Sequence, residues 1–149
     1  MDAIFVVPLL VAYFVIRYYL TDHETPYDKD KKRYAEGITL FEKGDFEKAF
    51  DYFNQKLKEN RKSALAYTYR GRCHAKADNL YSALYDFTEA LSYDNTLHEV
   101  HLEKGIIHFH LEEYQEALKA FEKAVWFSRK SNAEAVRWQA IAAQKCHSA

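Results

Sequence analysis

Apolar and polar positions divide the chain into stretches with different periods. From Ala3 to Leu20 nearly every position is apolar (AIFVVPLLVAYFVIRYYL), and the one charge, Arg17, lies near the end. At 1.5 Å per residue such a helix reaches about 27 Å, close to the thickness of a bilayer's hydrocarbon core. The pattern predicts one N-terminal transmembrane anchor over residues 1–20, contacting lipid through 3–20, with Pro8 tolerated as a mild kink and Tyr13, Tyr18 and Tyr19 at the headgroup level. A cleaved secretory signal would need a basic start and a small-x-small site, and Asp2 and RYYLTDHE supply neither. No Lys or Arg precedes the span, whereas Lys29, Lys31, Lys32 and Arg33 follow it. This asymmetry predicts a single-pass protein whose remainder faces the cytoplasm, in a bacterial inner membrane or a eukaryotic organelle membrane. Residues 21–29 (TDHETPYDK) are polar, contain Pro26 and show no apolar period, which reads as a short linker.

Beyond residue 30 the chain repeats itself. Gly37, Gly71 and Gly105 stand 34 residues apart. Twelve residues after each comes an alanine, Ala49, Ala83 and Ala117, and four residues further a phenylalanine, Phe53, Phe87 and Phe121. Phe46, Leu80 and Tyr114, then Leu57, Leu91 and Val125, keep the same register. Few glycines and prolines, four and two in the chain, leave helices uninterrupted and favour an all-α fold.

This stretch, about 30–131, resembles the tetratricopeptide repeat family, whose 34-residue helix–turn–helix unit carries Gly, Ala and Phe at these offsets. The resemblance implies a right-handed α-solenoid of three repeats, 30–63, 64–97 and 98–131. Its helix pairs are expected near 30–43 and 46–60, 63–77 and 80–93, and 97–110 and 114–128. In such a unit the glycines and alanines let paired helices approach, and the phenylalanines fill the space between units. Residues 132–149 form a capping helix and tail, with Ala135, Trp138, Ile141 and Ala142 at helical spacing to cover the open end. The sequence departs from the family where Arg61, Asn95 and Arg129 stand in place of a frequent Pro.

Charge and chemistry then narrow the function. With 21 Lys+Arg against 22 Asp+Glu, bulk charge favours no nucleic-acid partner. Cys73 and Cys146 fit no zinc or redox spacing and read as reduced thiols. His98 and His101 lie one helical turn apart, but His108 and His110 point to different sides of a helix, so no metal site converges and no cofactor is expected. No Gly-rich phosphate loop, GxSxG elbow, HExxH or triad order occurs, so neither an enzyme nor a small-molecule substrate is expected.

The family's usual ligand surface is the groove formed by the first helix of each repeat. By phase the expected lining is Tyr34, Ile38 and Phe41, then Leu65, Thr68, Tyr69, Arg72 and Ala75, then Glu99, Leu102, Glu103, Ile106 and Phe109. Some members grip a chaperone's C-terminal carboxylate with a clamp of basic and amide side chains. Here the clamp positions hold Tyr34, Ile38, Tyr69, Glu99 and Glu103, so that mechanism is excluded. Two functions remain: a membrane-tethered adaptor taking a partner protein's peptide or helix in an apolar groove, with a membrane-associated partner, or a permanent subunit of a multi-subunit membrane complex.

Overall fold

The computed structural model describes the backbone of residues 3–20 and 24–148 and the side chains of 7–17 and 24–147. The described residues form helices α1 (Ala3–Leu20), α2 (Pro26–Arg33), α3 (Ala35–Glu42), α4 (Phe46–Glu59), α5 (Ala64–Lys76), α6 (Leu80–Tyr93), α7 (His98–His110), α8 (Tyr114–Phe127) and α9 (Ala133–Ser148). From α3 onward each helix packs on the next in chain order, as stacked helix pairs require.

The turn inside each repeat is built by one device. Residues Gly44, Asp78 and Glu112, again 34 apart, adopt φ values of +84°, +59° and +60°. Each ends the first helix of its repeat in the left-handed conformation. The following amides, Asp45, Asn79 and Glu113, donate 3.0, 2.9 and 2.9 Å bonds to the carbonyls of Leu40, His74 and His108. Otherwise unpaired carbonyls are thereby satisfied, and the chain reverses within three residues.

Close approach between paired helices depends on the period-34 glycines. A Cβ built on Gly71 would lie 2.9 Å from the Phe87 ring, and one on Gly105 would lie 2.5 Å from the Phe121 ring. On Gly37 it would strike Tyr52 and come within 2.8 Å of Phe53. The phenylalanines are fully buried, as are Ala49, Ala83 and Ala117. They also reach beyond their own repeat: Phe53 stacks on Tyr69 at 5.1 Å between centroids, and Phe121 stacks on Trp138 at 5.8 Å. Phe121 is therefore held between its own glycine and α9, whose Ala135 and Ala142 are fully buried.

Two expectations are corrected at the N-terminus. Among the described residues no helix is long and apolar enough to cross a membrane. The uncharged run in α1 ends at Arg17, leaving about 21 Å of helix from residue 3 to residue 16 against the roughly 30 Å a span needs. The single-pass anchor over 3–20, its lipid contact and the cytoplasm-facing placement derived from it are therefore withdrawn. Arg17 instead donates to the Tyr13 hydroxyl at 3.0 Å, and the large apolar side chains from Val7 to Ile16 stand exposed.

The second correction concerns residues 21–29. Positions 21–23 lie outside the described residues, but from Pro26 onward the chain is helical rather than a loop. Thr25 caps α2: its hydroxyl accepts from the Asp28 amide at 3.1 Å, and the Asp28 carboxylate accepts from the Thr25 amide at 3.1 Å. This reciprocal box, with Pro26 at the first helical position, starts a helix without any apolar period. The helix expected over 30–43 is broken at Tyr34, where φ −106° and ψ 24° leave helical geometry.

Candidate functional site

Helices α3, α5 and α7, with Leu80 and Phe87 of α6, place side chains around a cavity of about 530 Å³. Its apolar wall includes Phe41, Ala75, Leu80, Ile106 and Ile107, and Arg72, Lys76, Glu103 and His110 supply its polar groups. The expected groove residues do not all meet in one place. Phe41, Arg72, Ala75, Glu103 and Ile106 meet at this cavity. Tyr34, Ile38, Leu65, Thr68 and Leu102 are buried at 8 % exposure or less and serve the core instead. These helices are covered on two sides, by their own partner helix and by the next repeat, which buries part of the expected lining. Tyr69 stacks on Phe53 and meets Phe41 edge-on at 5.5 Å. Phe109 packs against Tyr114 and Trp138 at the C-terminal junction. Lys76, Leu80, Ile107 and His110 also line the cavity, near the turn end of the repeats, outside the lining expected from helical phase.

Arg72 dominates the electrostatics. Its guanidinium donates to both carboxylate oxygens of Glu103, at 2.9 Å and 3.0 Å from Nε and 2.5 Å from one terminal nitrogen, and reaches Glu99 at 3.4 Å. The Tyr69 ring lies beneath it, 5.0 Å from centroid to Cζ. Burial acts to lower its pKa, but the hydrogen bonds and charge of Glu103 outweigh that and hold it above the usual guanidinium value. The cation is thus committed to acids of its own chain, and the groove offers no bare positive charge at this point.

Deeper in the stack, Arg70 donates to both oxygens of Asp86 at 2.8 and 2.7 Å and to Asn54 at 3.0 Å, joining α4, α5 and α6. Asp86 is only 1 % exposed, so the pair is structural rather than part of the cavity. His101 stacks on Phe127 at 5.5 Å and lies 2.9 Å from the Asn95 carbonyl, and its burial lowers its pKa. His108 pairs with Glu113 at 2.6 Å across the turn of the third repeat. Among the described residues no group of three or more His, Cys, Asp or Glu side chains is placed to hold a metal. Burial pushes the Cys73 thiol up to about 11, which leaves little thiolate for chemistry at neutral pH.

Comparison with known proteins gives a consistent picture. Models described as "Tetratricopeptide repeat" match residues 34–96 and 98–125. The chain is 33% identical over 84 residues to the protein SGT1 homolog of Oryza sativa subsp. japonica, covering 56% of this chain and 23% of that protein. It therefore spans less than a quarter of that relative's length. Among solved structures, the first TPR of Spaghetti (RPAP3) bound to an HSP90 peptide superposes with a TM-score of 0.71 at 18% identity, covering 76% of this chain and 89% of that one. The Sgt2 TPR domain of Aspergillus fumigatus superposes with a TM-score of 0.70 at 18% identity, covering 80% of each chain. Together with the helix pairs, the period-34 turns and the buried Gly–Phe contacts, these matches show that the chain belongs to the tetratricopeptide repeat family.

Proposed function

We propose that the chain is a protein-interaction adaptor that holds an apolar segment of a partner protein in the cavity between α3, α5 and α7. The observation that carries this reading is the cavity itself: its wall is mostly aliphatic and aromatic, while its central cation is already paired. A cavity of this composition binds by removing apolar surface from water, with few polar groups to fix orientation. The RPAP3 structure holds an HSP90 peptide on the same fold, which supports peptide recognition as the general activity. The chemistry differs here, because Glu99 and Glu103 would face an acidic peptide with like charge, and Arg72 could meet it only by giving up Glu103. The favoured ligand is accordingly an apolar stretch rather than an acidic tail.

Two measurements test this. The HSP90 peptide SRMEEVD from the RPAP3 structure, titrated by calorimetry, should show no binding; saturable micromolar binding would refute the apolar preference. Ile106→Asp should release a partner that copurifies with the wild-type chain, because an unpaired carboxylate buried in the complex is costly. Circular dichroism should be unchanged, since Ile106 is only partly buried in the free chain. Retention of the partner by a folded Ile106→Asp chain would place recognition elsewhere.

A further inference from the structure

We infer that α2 is a displaceable lid of the groove, seated by Tyr27 and latched to the start of α5 by Asp30, so that the cavity described above is the part of the groove left open. The inference draws its purpose, though not its physics, from the adaptor reading.

In the second and third repeats the first helix is uninterrupted, 13 residues in both α5 and α7. In the first repeat the break at Tyr34 divides it into two helices of eight residues. The break lets Pro26–Arg33 lean onto α5. Tyr27 packs against the apolar cluster that includes Leu65 and Ala66 of α5. It also lies within electrostatic reach of Arg72, Tyr69, Glu99 and Glu103, which are groove residues of α5 and α7, and burial pushes its hydroxyl up to about 12. A side chain of this same protein thus occupies ground that a ligand would otherwise cover.

Among the described residues, α2 meets α5 through Tyr27 and Asp30, and both contacts are reversible. Asp30, 8 % exposed, accepts a 2.5 Å hydrogen bond from the Ser63 hydroxyl. Ser63 in turn caps α5 by accepting from the Ala66 amide at 3.2 Å. If α2 lifts away, the Asp30 carboxylate returns to water and Ser63 keeps its capping bond, so neither group is stranded in the core. Apart from Pro26 and Tyr27 the helix reads DKDKKR, with no other apolar side chain to bury. A helix this short does not persist in water without a docking surface. Its order therefore depends on Tyr27, and such an element belongs to the low-stability end of a fold. Tyr34, 2 % exposed, stays in the core and marks where the lid would hinge. Opening would uncover the Arg72–Glu103 side of the groove and lengthen it for a longer apolar segment.

Hydrogen exchange of the full chain, read by mass spectrometry with peptides covering 26–34, tests this without any partner. The amides of residues 29–34 should exchange through a local opening at least about ten-fold faster than those of α4 to α8. Tyr27→Ala should accelerate them by about another ten-fold, and Asp30→Asn by less, with α4 to α8 unchanged. Exchange of 29–34 only in step with α4 to α8 in the wild-type chain would overturn the inference and make α2 a fixed part of the core. So would acceleration of all helices together by Tyr27→Ala. Loss of partner binding by Ile106→Asp bears on the adaptor reading alone, so the two can fail separately.

Discussion

Replacing Gly105 with alanine sets two effects of opposite sign against each other. In an exposed helix the change gains about 1 kcal/mol, because alanine restricts the unfolded backbone and suits a helix better than glycine. In this helix the new Cβ would sit 2.5 Å from Cε1 and 2.6 Å from Cδ1 of Phe121. An ordinary carbon contact is about 3.5–4.0 Å, so the ring must retreat by about 1 Å. Phe121 is fully buried, and on its far side it stacks on Trp138, which itself meets Phe109. Movement would have to pass through α9. Overpacking of a confined core costs about 1–3 kcal/mol, so after the propensity gain of about 1 kcal/mol the net expectation is a loss of up to about 2 kcal/mol. Gly71→Ala provides the comparison: its nearest neighbour is Phe87 at 2.9 Å, and a smaller shift relieves it. Urea unfolding followed by circular dichroism should therefore rank wild type above Gly71→Ala and Gly71→Ala above Gly105→Ala. A Gly105→Ala chain more stable than wild type would refute the reasoning, since propensity alone would then govern the position.

The left-handed turn residue Glu112 pays for a conformation that glycine adopts freely, so Glu112→Gly should raise stability by about 0.5–1 kcal/mol in the same urea assay, while Gly44→Ala should lower it. Arg70→Met leaves the buried Asp86 carboxylate without its bidentate partner, with His74 3.8 Å away, and should cost about 3 kcal/mol, read as a lower urea midpoint. His101 binds its proton less readily folded than unfolded, so its contribution is fully present above about pH 6.5 and is lost as pH falls toward its lowered folded value. His101→Phe should flatten that part of the stability–pH curve measured by thermal melts. Removing residues 132–149 should expose Phe121 and Phe109 and cause aggregation, visible by light scattering.

The fold was legible because packing constraints recur with the repeat. Gly105 and Phe121 must be spaced as they are for the ring to lie on the glycine, and three copies of that constraint leave a visible period. The second period, Gly44, Asp78 and Glu112, was equally present but hidden, since a backbone conformation is shared there by three different side chains. The site was less legible. Burial of Ile38 and Leu102 depends on neighbours from two other helices, whereas phase along one helix reports only a single face. Helix α2 escaped apolar periodicity because a capping box and one tyrosine hold it; the sequence Thr25-Pro26-Tyr27-Asp28 carried the signal. At the N-terminus overall apolarity masks Arg17, the single charge that ends the uncharged run at residue 16.

The central claim, recognition through the cavity between α3, α5 and α7, is tested most directly by site-specific photocrosslinking. A benzoylphenylalanine placed at Ala75, on the cavity wall, is compared with one at Tyr85, which is 61 % exposed on α6. The account predicts a discrete crosslinked partner from position 75, mapped by mass spectrometry to an apolar segment of that partner, and none from position 85. Crosslinking to the same partner from position 85 but not from position 75 would contradict it.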